Sequence, residues 1–348
     1  MRAVTVVPLK KDSVELTDLP EPPESDGPVL VQTRAVGVCG TDIEIIHGDY
    51  GWAPPGEDRL AIGHESLGEV LEAPVGSGLA EGDRVVGIVR RPDPVPCANC
   101  AVGEWDMCSN GKYTEWGIKE HHGYARDRYR IPVEFVVKVD AGLGDLGVLL
   151  EPTTVVAKAW DHIARIGRRA TWQPATVLVT GAGPIGLLAA LLGRQLDLEV
   201  HVLDKVTDGL KPQLVADLGA TYHHGSIAEL GIEADVVIEC TGAGQLVFDA
   251  MEHAGANGIV CLTGLSSGGR SLEIDAGVLN RRMVLENDVV FGSVNANRRH
   301  YEAGAKALAA ADRSWLDRLV TRRLHLDHWQ EAYERRPGDV KTVLQFSG

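Results

Sequence analysis

Hydrophobic and polar positions change their pattern near the middle of the chain. Residues 1–150 carry short β-like runs interrupted by glycine and proline, namely RAVTVV, PVLVQTRAVGV, SLGEVLEAP and DRVVGIV. Short apolar runs bounded by turn residues are typical of all-β structure. The pattern therefore predicts a β-rich first domain.

From about residue 153, apolar runs alternate with helical stretches. The runs are TVLVT (176–180), EVHVLD (199–204), ADVVIECTG (234–242), GIVCLTG (258–264) and DVVFGSV (288–294). Near-continuous Val, Ile and Leu is typical of strands in a parallel sheet, because helices cover both of its faces. An α/β domain with a doubly wound parallel sheet is expected here.

The remaining residues contain one good helix candidate, RRHYEAGAKALAAA, and end in the strand-like KTVLQF. We expect this tail to fold back onto the first domain. The predicted organisation is therefore a β-rich domain at 1–152, an α/β domain with a doubly wound sheet at 153–297 and a C-terminal segment at 298–348 that returns to the first domain.

Composition and charge narrow the range of functions. The chain has 348 residues, 44% hydrophobic and 24% charged, as in ordinary soluble proteins. Its net charge of −15 disfavours nucleic acid or an anionic membrane as a partner. MRAVTVVP does not resemble a signal peptide, and no apolar run reaches the roughly 18 residues of a spanning helix. We expect a cytoplasmic location.

The strongest local motif is a glycine-rich turn between a predicted strand and a predicted helix. Glycines permit a tight turn and close approach of the backbone to a pyrophosphate, which the helix N-terminus attracts. An ordinary turn is the alternative, but the flanking elements favour a dinucleotide site. Its residues are Gly181, Gly183, Pro184, Ile185 and Gly186.

Asp204 ends the next predicted strand, where a carboxylate can accept hydrogen bonds from the 2′-hydroxyl of an adenosine ribose. This favours NAD. Lys205 follows at once and could instead contact a 2′-phosphate, so NADP is also possible.

Cys39, His64 and Glu151 offer three ligand types that zinc accepts, and a catalytic zinc needs only three protein ligands. Each residue alone is more often an ordinary core or surface residue. The argument for zinc depends on their occurring together.

Several motifs together resemble the zinc-containing medium-chain alcohol dehydrogenase superfamily. Cys39-Gly40-Thr41-Asp42, Gly63-His64-Glu65 and the glycine-rich turn carry this resemblance over essentially the whole chain. Arg90-Arg91, the stretch Gly117–Tyr124, LLEP at 149–152 and GSVNAN at 292–297 look like the microbial glucose 1-dehydrogenase branch. The resemblance implies a GroES-like catalytic domain, a Rossmann domain, and oxidation of an aldose at C1 to a lactone.

The resemblance also implies roles for particular residues. Cys39, His64 and Glu151 would hold the catalytic zinc, Glu65 would be an alternating ligand, and Thr41 would relay the released proton. Asn295 would belong to the cofactor site. Relatives are dimers or tetramers, so a homo-oligomer is expected. The residues expected to contact the sugar are Thr41, Glu65, Glu115, Glu151 and His300.

The branch pattern is incomplete in two places. An Asn and an Asp of the archaeal pattern are replaced by Val89 and Val155, which leaves glucose less certain than the aldose class. Another polyol or alcohol dehydrogenase is therefore the nearest alternative. A non-catalytic dinucleotide-binding protein is a more distant one, because it would have no need of an open metal site.

A second cysteine cluster departs from the superfamily spacing C-x2-C-x2-C-x7-C. Pro94 stands where the first cysteine belongs, and Cys97, Cys100 and Cys108 remain. Asp93 could complete a structural zinc site, since carboxylate oxygen is an acceptable ligand. The alternative is a lobe that has lost its metal. Cys240 and Cys261, inside apolar runs, are expected to be core residues.

Overall fold

The computed structural model describes residues 1–266, 268 and 271–346, so the last two residues of the expected segment 298–348 lie outside the described part. The chain forms two compact units. Unit 1 comprises Met1–Thr154 and Asn295–Gly348, and unit 2 comprises Val155–Val294.

The first stretch of unit 1 is mostly strand. In β3, alternate residues from Val29 to Ala35 are buried, as expected for a sheet with one face on a core. The strands are β1 (Arg2–Val6), β2 (Glu15–Asp18), β3 (Val29–Gly37), β4 (Leu60–Ala61), β5 (Glu65–Glu72), β6 (Arg84–Gly87), β7 (Arg90–Arg91), β8 (Thr114–Trp116), β9 (Glu120–His121), β10 (Arg128–Ile131) and β11 (Val136–Lys138). The helices are α1 (Gly40–His47) and α2 (Ala98–Ala101).

Helix α3 (Leu150–Gly167) leads into unit 2, whose strands are all parallel in the order β14-β13-β12-β15-β16-β17. This order is that of the dinucleotide-binding fold and confirms the predicted doubly wound sheet. The strands are β12 (Thr176–Thr180), β13 (Glu199–Leu203), β14 (Thr221–His223), β15 (Ala234–Glu239), β16 (Ala254–Leu262) and β17 (Val289–Gly292). The helices are α4 (Pro184–Gln195), α5 (Leu210–Asp217), α6 (Ile227–Leu230), α7 (Gly244–Glu252) and α8 (Ala276–Glu286).

The tail supplies α9 (Arg298–Ala309), α10 (Arg313–Leu319), β18 (Val320–His325), α11 (Trp329–Ala332) and β19 (Lys341–Gln345). Strand β19 pairs antiparallel with β3, which gives the main sheet of unit 1 the order β11-β6-β5-β3-β19-β18, with β10 also on β3. Within the described residues, no helix is both long and apolar enough to cross a membrane. Because β19 and β5 both flank β3, residues from distant parts of the chain meet at one end of this sheet.

Candidate active site

The ends of β3 and β5 bring Cys39 and His64 together. Cys39 caps α1 just after β3, and its backbone N–H donates to Asp42 Oδ2 at 2.8 Å. His64 immediately precedes β5, and Gly37 of β3 is the register partner of Glu65 of β5. The pairing of two neighbouring strands therefore places both predicted zinc ligands at the same end of these strands.

The ligand atoms of Cys39, His64 and Glu65 all lie within 4.8 Å of one another. His64 is only 5% exposed, and its Nδ1 lies 3.3 Å from Asp42 Oδ1. Burial opposes protonation of His64, but Asp42 and Cys39 together raise its pKa well above the ordinary value. A carboxylate beside one ring nitrogen is the usual partner of a metal-binding imidazole. The thiol, imidazole and carboxylate are therefore a donor set that fits zinc.

Lys341, the first residue of β19, was not singled out by the sequence. Its Nζ donates to both carboxylate oxygens of Glu65, at 2.7 and 2.6 Å, and to the Val38 carbonyl at 3.1 Å. Burial lowers the pKa of Lys341, but the neighbouring side chains of Glu65 and Cys39 outweigh this and raise it. A buried carboxylate and a buried ammonium thus compensate each other beside the candidate metal site.

Glu151 and Thr41 lie at the first turns of helices. Glu151, in α3, is 8% exposed; burial raises its pKa to about 7, with His64 lowering it and Glu65 raising it. It therefore lies in the electrostatic neighbourhood of the cluster, although it is not one of the three grouped ligands. Thr41 is partly exposed, two residues after Cys39. Their roles as ligand and proton relay stay predictions.

Glu115, on β8, is held by two partners that the sequence did not indicate. Its Oε1 accepts from Arg90 Nε at 3.0 Å and from the side-chain amide of Asn295, whose backbone is left-handed. The carboxylate is buried, and Arg90 is covered by the Tyr113 ring at 3.7 Å. Asn295, expected in the cofactor site, thus bonds to a residue expected to contact sugar.

His300 is fully buried in the first turn of α9. Its Nδ1 accepts the backbone N–H of Asn297 at 3.2 Å, which closes the helix N-terminus, and lies 3.9 Å from Asp106 Oδ2. These contacts favour a capping role for His300. Direct contact with a sugar stays a prediction.

The glycine-rich turn has the backbone that its sequence requires. Gly181 has a φ of 91°, which side chains disfavour, and a Cβ on Gly186 would collide with the Gly181 carbonyl oxygen. Gly183 caps α4, and Pro184 occupies its first position, where proline is best tolerated. Ile185 follows in the same turn. The N-terminus of α4 is thus formed as the dinucleotide prediction requires.

Asp204 is already hydrogen-bonded within unit 2. Oδ2 accepts from the Ala182 N–H at 2.6 Å and from Lys211 Nζ at 3.2 Å, and Oδ1 accepts from the Val206 N–H at 3.0 Å. Burial raises its pKa, but these donors outweigh burial and lower it. Lys205 is exposed, whereas Lys211, which the sequence analysis missed, is the lysine that pairs with Asp204.

The second cysteine cluster lies on a lobe of unit 1. The sulfurs of Cys97, Cys100 and Cys108 lie within 4.8 Å of one another. Hydrogen bonds from Ser109 and from the Cys100 N–H lower the pKa of Cys97 to about 5, which favours the thiolate that zinc binds. Asp93 is outside this group, and its two oxygens accept from Val95 N–H at 2.8 Å and Asn110 Nδ2 at 2.9 Å. A fourth ligand from Asp93 stays a prediction.

Zinc-dependent medium-chain dehydrogenases combine a GroES-like unit with a doubly wound nucleotide-binding sheet, and this chain has that architecture. Residues 25–141 match the alcohol dehydrogenase GroES-like domain, and residues 144–346 match the glucose dehydrogenase C-terminus. The chain belongs to the glucose dehydrogenase family, which confirms the resemblance seen in the sequence.

Individual relatives match along their whole length. Glucose 1-dehydrogenase of Methanocella arvoryzae is 39% identical over 357 residues, covering 99% of both chains. Glucose 1-dehydrogenase of Thermoproteus tenax is 41% identical over 357 residues with the same coverage. The structure of Haloferax mediterranei glucose dehydrogenase with NADP, Zn and gluconolactone matches with a TM-score of 0.92, at 31% identity and 100% coverage of both chains.

Proposed function

We propose that this chain oxidises the C1 hydroxyl of an aldose to the lactone, with zinc and NAD or NADP. The observation that carries the proposal is the thiol–imidazole–carboxylate cluster of Cys39, His64 and Glu65, in which His64 and Glu65 are buried, in a chain that also holds a complete dinucleotide-type turn. The relatives named as glucose 1-dehydrogenases, and the structural match with NADP, Zn and gluconolactone, support it.

Cys39, His64 and Glu151 would hold the zinc, with Glu65 as the alternating ligand. The Lewis acidity of the zinc ion would lower the pKa of the sugar hydroxyl. The dinucleotide supplies the hydride acceptor. Asp42 orients the His64 ring from Nδ1, and Lys341 holds Glu65 in place. Oγ1 of Thr41 would take the released proton toward solvent.

Glu115 is the group that we assign to the sugar hydroxyls. Arg90 and Asn295 fix Oε1, and no described residue hydrogen-bonds to Oε2. A fixed carboxylate with one free oxygen discriminates well between sugars that carry the matching hydroxyl and sugars that lack it, because the latter leave that oxygen unpaired. Glu65 and Glu151 would complete the polar lining of the site.

A second copy of the chain is the partner that we propose for unit 2. Strand β17 is the last strand of its sheet, and no strand of the described residues pairs with its outer edge. Several large apolar side chains between β16 and β17 in the chain are exposed, and exposed apolar patches mark interaction surfaces. They are Leu265, Leu272, Ile274, Val278, Val284 and Leu285. Light scattering of the purified protein tests for a dimer or tetramer, and a monomer would contradict this proposal.

The free thiols support the proposed cytoplasmic location. Three clustered cysteines without a disulfide are typical of a reducing compartment, which supports a cytoplasmic location. The net charge of −15 continues to argue against nucleic acid and anionic membranes as partners.

The direct test of the function is a panel of aldoses, polyols and simple alcohols, each assayed with NAD and with NADP on zinc-loaded protein. We expect aldoses to give the highest kcat/KM and the product to be a lactone. Ethanol turnover as efficient as that of any sugar would refute the aldose assignment. Turnover undiminished by complete zinc removal would refute the zinc mechanism.

A further inference from the structure

Two exposed aromatic side chains, Tyr50 and Trp52, follow α1 on the surface of unit 1. Tyr50 is 37% exposed and Trp52 is 42% exposed, and their rings contact edge to face with centroids 4.9 Å apart. Gly51 between them has a φ of 104° and packs against Ile45. Because large apolar side chains grouped at a surface commonly mark binding sites, this pair is a candidate ligand-binding surface.

Backbone hydrogen bonds tie this aromatic pair to the turn that carries Glu115. Trp52 N–H donates to the Ile118 carbonyl at 2.9 Å, and Glu120 N–H donates to the Trp52 carbonyl at 3.0 Å. Trp52 thereby pairs with Lys119, whose carbonyl accepts from Glu115 N–H at 2.8 Å. Since paired strands lie about 4.8 Å apart, the aromatic pair is held within two strand spacings of the Glu115 backbone.

Tyr50 also lies within electrostatic range of Glu115. Burial raises the pKa of Tyr50, and the Glu115 carboxylate is the next largest cause of the increase. Tyr113 lies on the same side, with its ring over Arg90 at 3.7 Å and over Lys119 Nζ at 4.3 Å. The Arg90 side chain that binds the Glu115 carboxylate thus also contacts an aromatic ring.

Burial separates an inner from an outer part of this region. Glu115 is 4% exposed, whereas Tyr50 and Trp52 are open to solvent. A pyranose ring has an apolar C–H face that suits an aromatic ring, and its O4 lies across the ring from C1. A sugar with C1 at the metal cluster therefore carries any O4 substituent at the end of the ring farthest from the metal.

We propose that Tyr50 and Trp52 form an outer subsite for the second ring of a reducing disaccharide, so that the substrate class includes aldoses extended at the end opposite to C1. This inference rests on the proposed aldose oxidation. The aromatic pair contacts the non-reacting ring, while the chemistry at C1 is unchanged.

The test compares kcat/KM for glucose, maltose and cellobiose in the parent and in Trp52→Ala. We expect the parent to oxidise at least one disaccharide with a kcat/KM within about tenfold of glucose. Trp52→Ala should lower that value about tenfold, equivalent to ~1.4 kcal/mol, and change glucose less than twofold. Trp52→Phe should restore most of the disaccharide activity, because it keeps an aromatic face.

Leu196→Ala, which removes an exposed apolar side chain from unit 2, is the matched control and should affect none of the three sugars. The outer subsite is refuted if the parent oxidises glucose but neither disaccharide, or if Trp52→Ala lowers all sugars equally. Absence of turnover with every aldose would instead refute the proposed function on which the subsite rests. The two failures are therefore distinguishable.

Discussion

The two units form their candidate binding groups in different ways. Unit 1 uses charged side chains buried beside one another, such as Glu65 with Lys341 and Glu115 with Arg90. Unit 2 uses backbone conformation, and the Asp204 carboxylate accepts the Ala182 N–H of the glycine-rich turn. Buried charges need partners from distant segments, whereas a turn is encoded locally. The chemistry of unit 1 should therefore be more sensitive to single substitutions than that of unit 2.

Cys39→Ser tests this difference most severely. The variant removes a thiolate ligand, so we expect it to lose the catalytic zinc and to reduce kcat at least ~10⁴-fold, about 5.5 kcal/mol of transition-state stabilisation. The Kd of the dinucleotide, measured by fluorescence titration, should change less than threefold, because the turn belongs to unit 2. Near-normal kcat in protein shown to lack this metal would overturn the zinc mechanism.

The cysteine lobe provides the second test within unit 1. If Cys97, Cys100 and Cys108 hold a structural zinc, metal analysis gives two zinc ions per chain, and Cys97→Ser leaves one. A site occupied at ~1,000 times its Kd stabilises the fold by about 4 kcal/mol, so unfolding by urea should show a loss of that size with kcat retained. One zinc per parent chain and three freely titratable thiols would show that the lobe has lost its metal.

The first two tests use residues that the sequence identified, and the reason is physical. Cys39, His64 and the glycines stand in short motifs whose residue types are dictated by ligand chemistry or by backbone conformation. Lys341 is 276 residues from Glu65, and no local pattern marks a lysine that will be buried beside a carboxylate. The strand β14, only Thr221–His223, also escaped detection, because a short polar strand lacks a continuous apolar run.

Lys211 is a second residue whose partner could not be predicted from the sequence, although the two are close in the chain. It lies seven residues after Asp204, within reach only because α5 turns back toward the end of β13. Sequence reasoning assigned the cofactor contact to Lys205, the nearer residue in the chain. Asn295 was likewise placed by its motif, but its bond to Glu115 depends on the packing of segments 180 residues apart. Partners of buried charges require the tertiary structure.

Lowering the pH should reduce the free energy of unfolding, because unit 1 buries ionisable groups. Burial, with Arg91 and Arg126, lowers the pKa of His121 to about 3 in the folded chain. Below its ordinary pKa of about 6.5, the unfolded chain binds a proton that the folded chain does not. The contribution of His121 to the free energy of unfolding is therefore fully present above pH 6.5. It is lost as the pH falls toward 3, by about 2 kcal/mol at pH 5.

His121→Gln removes this proton uptake. Urea unfolding at pH 7 and pH 5 should show a loss of stability on acidification that is about 2 kcal/mol smaller in the variant than in the parent. The variant also loses the ring packed on Trp116, so the comparison is between the two pH values rather than between absolute stabilities. His224→Gln, at an exposed position, is the control. Equal acid losses in parent and variant would assign the sensitivity to other groups.

Glu115→Gln and His300→Ala distinguish a polar residue that contacts the sugar from one that caps a helix within unit 1. Glu115→Gln should raise the KM for the best aldose about tenfold, ~1.4 kcal/mol, because Oε2 loses its charge while the acceptor for Arg90 is kept. His300→Ala should lower Tm through the lost cap of α9. A tenfold increase of KM in His300→Ala at unchanged Tm would instead favour direct sugar contact, and unchanged KM in both variants would remove both residues from the sugar site.

The smallest effect is expected in unit 2, at Asp204. A free carboxylate there would accept the ribose 2′-hydroxyl of NAD and repel the 2′-phosphate of NADP. Lys211 already offsets part of that charge, and the N–H groups of Ala182 and Val206 occupy both oxygens. Asp204→Ser should therefore shift the ratio of kcat/KM values toward NADP by only about fivefold, ~1 kcal/mol. Lys211→Met should shift it toward NAD, because the carboxylate loses its counter-ion and the phosphate loses a cation. If neither variant changes the ratio, the choice of dinucleotide is made by residues other than this pair.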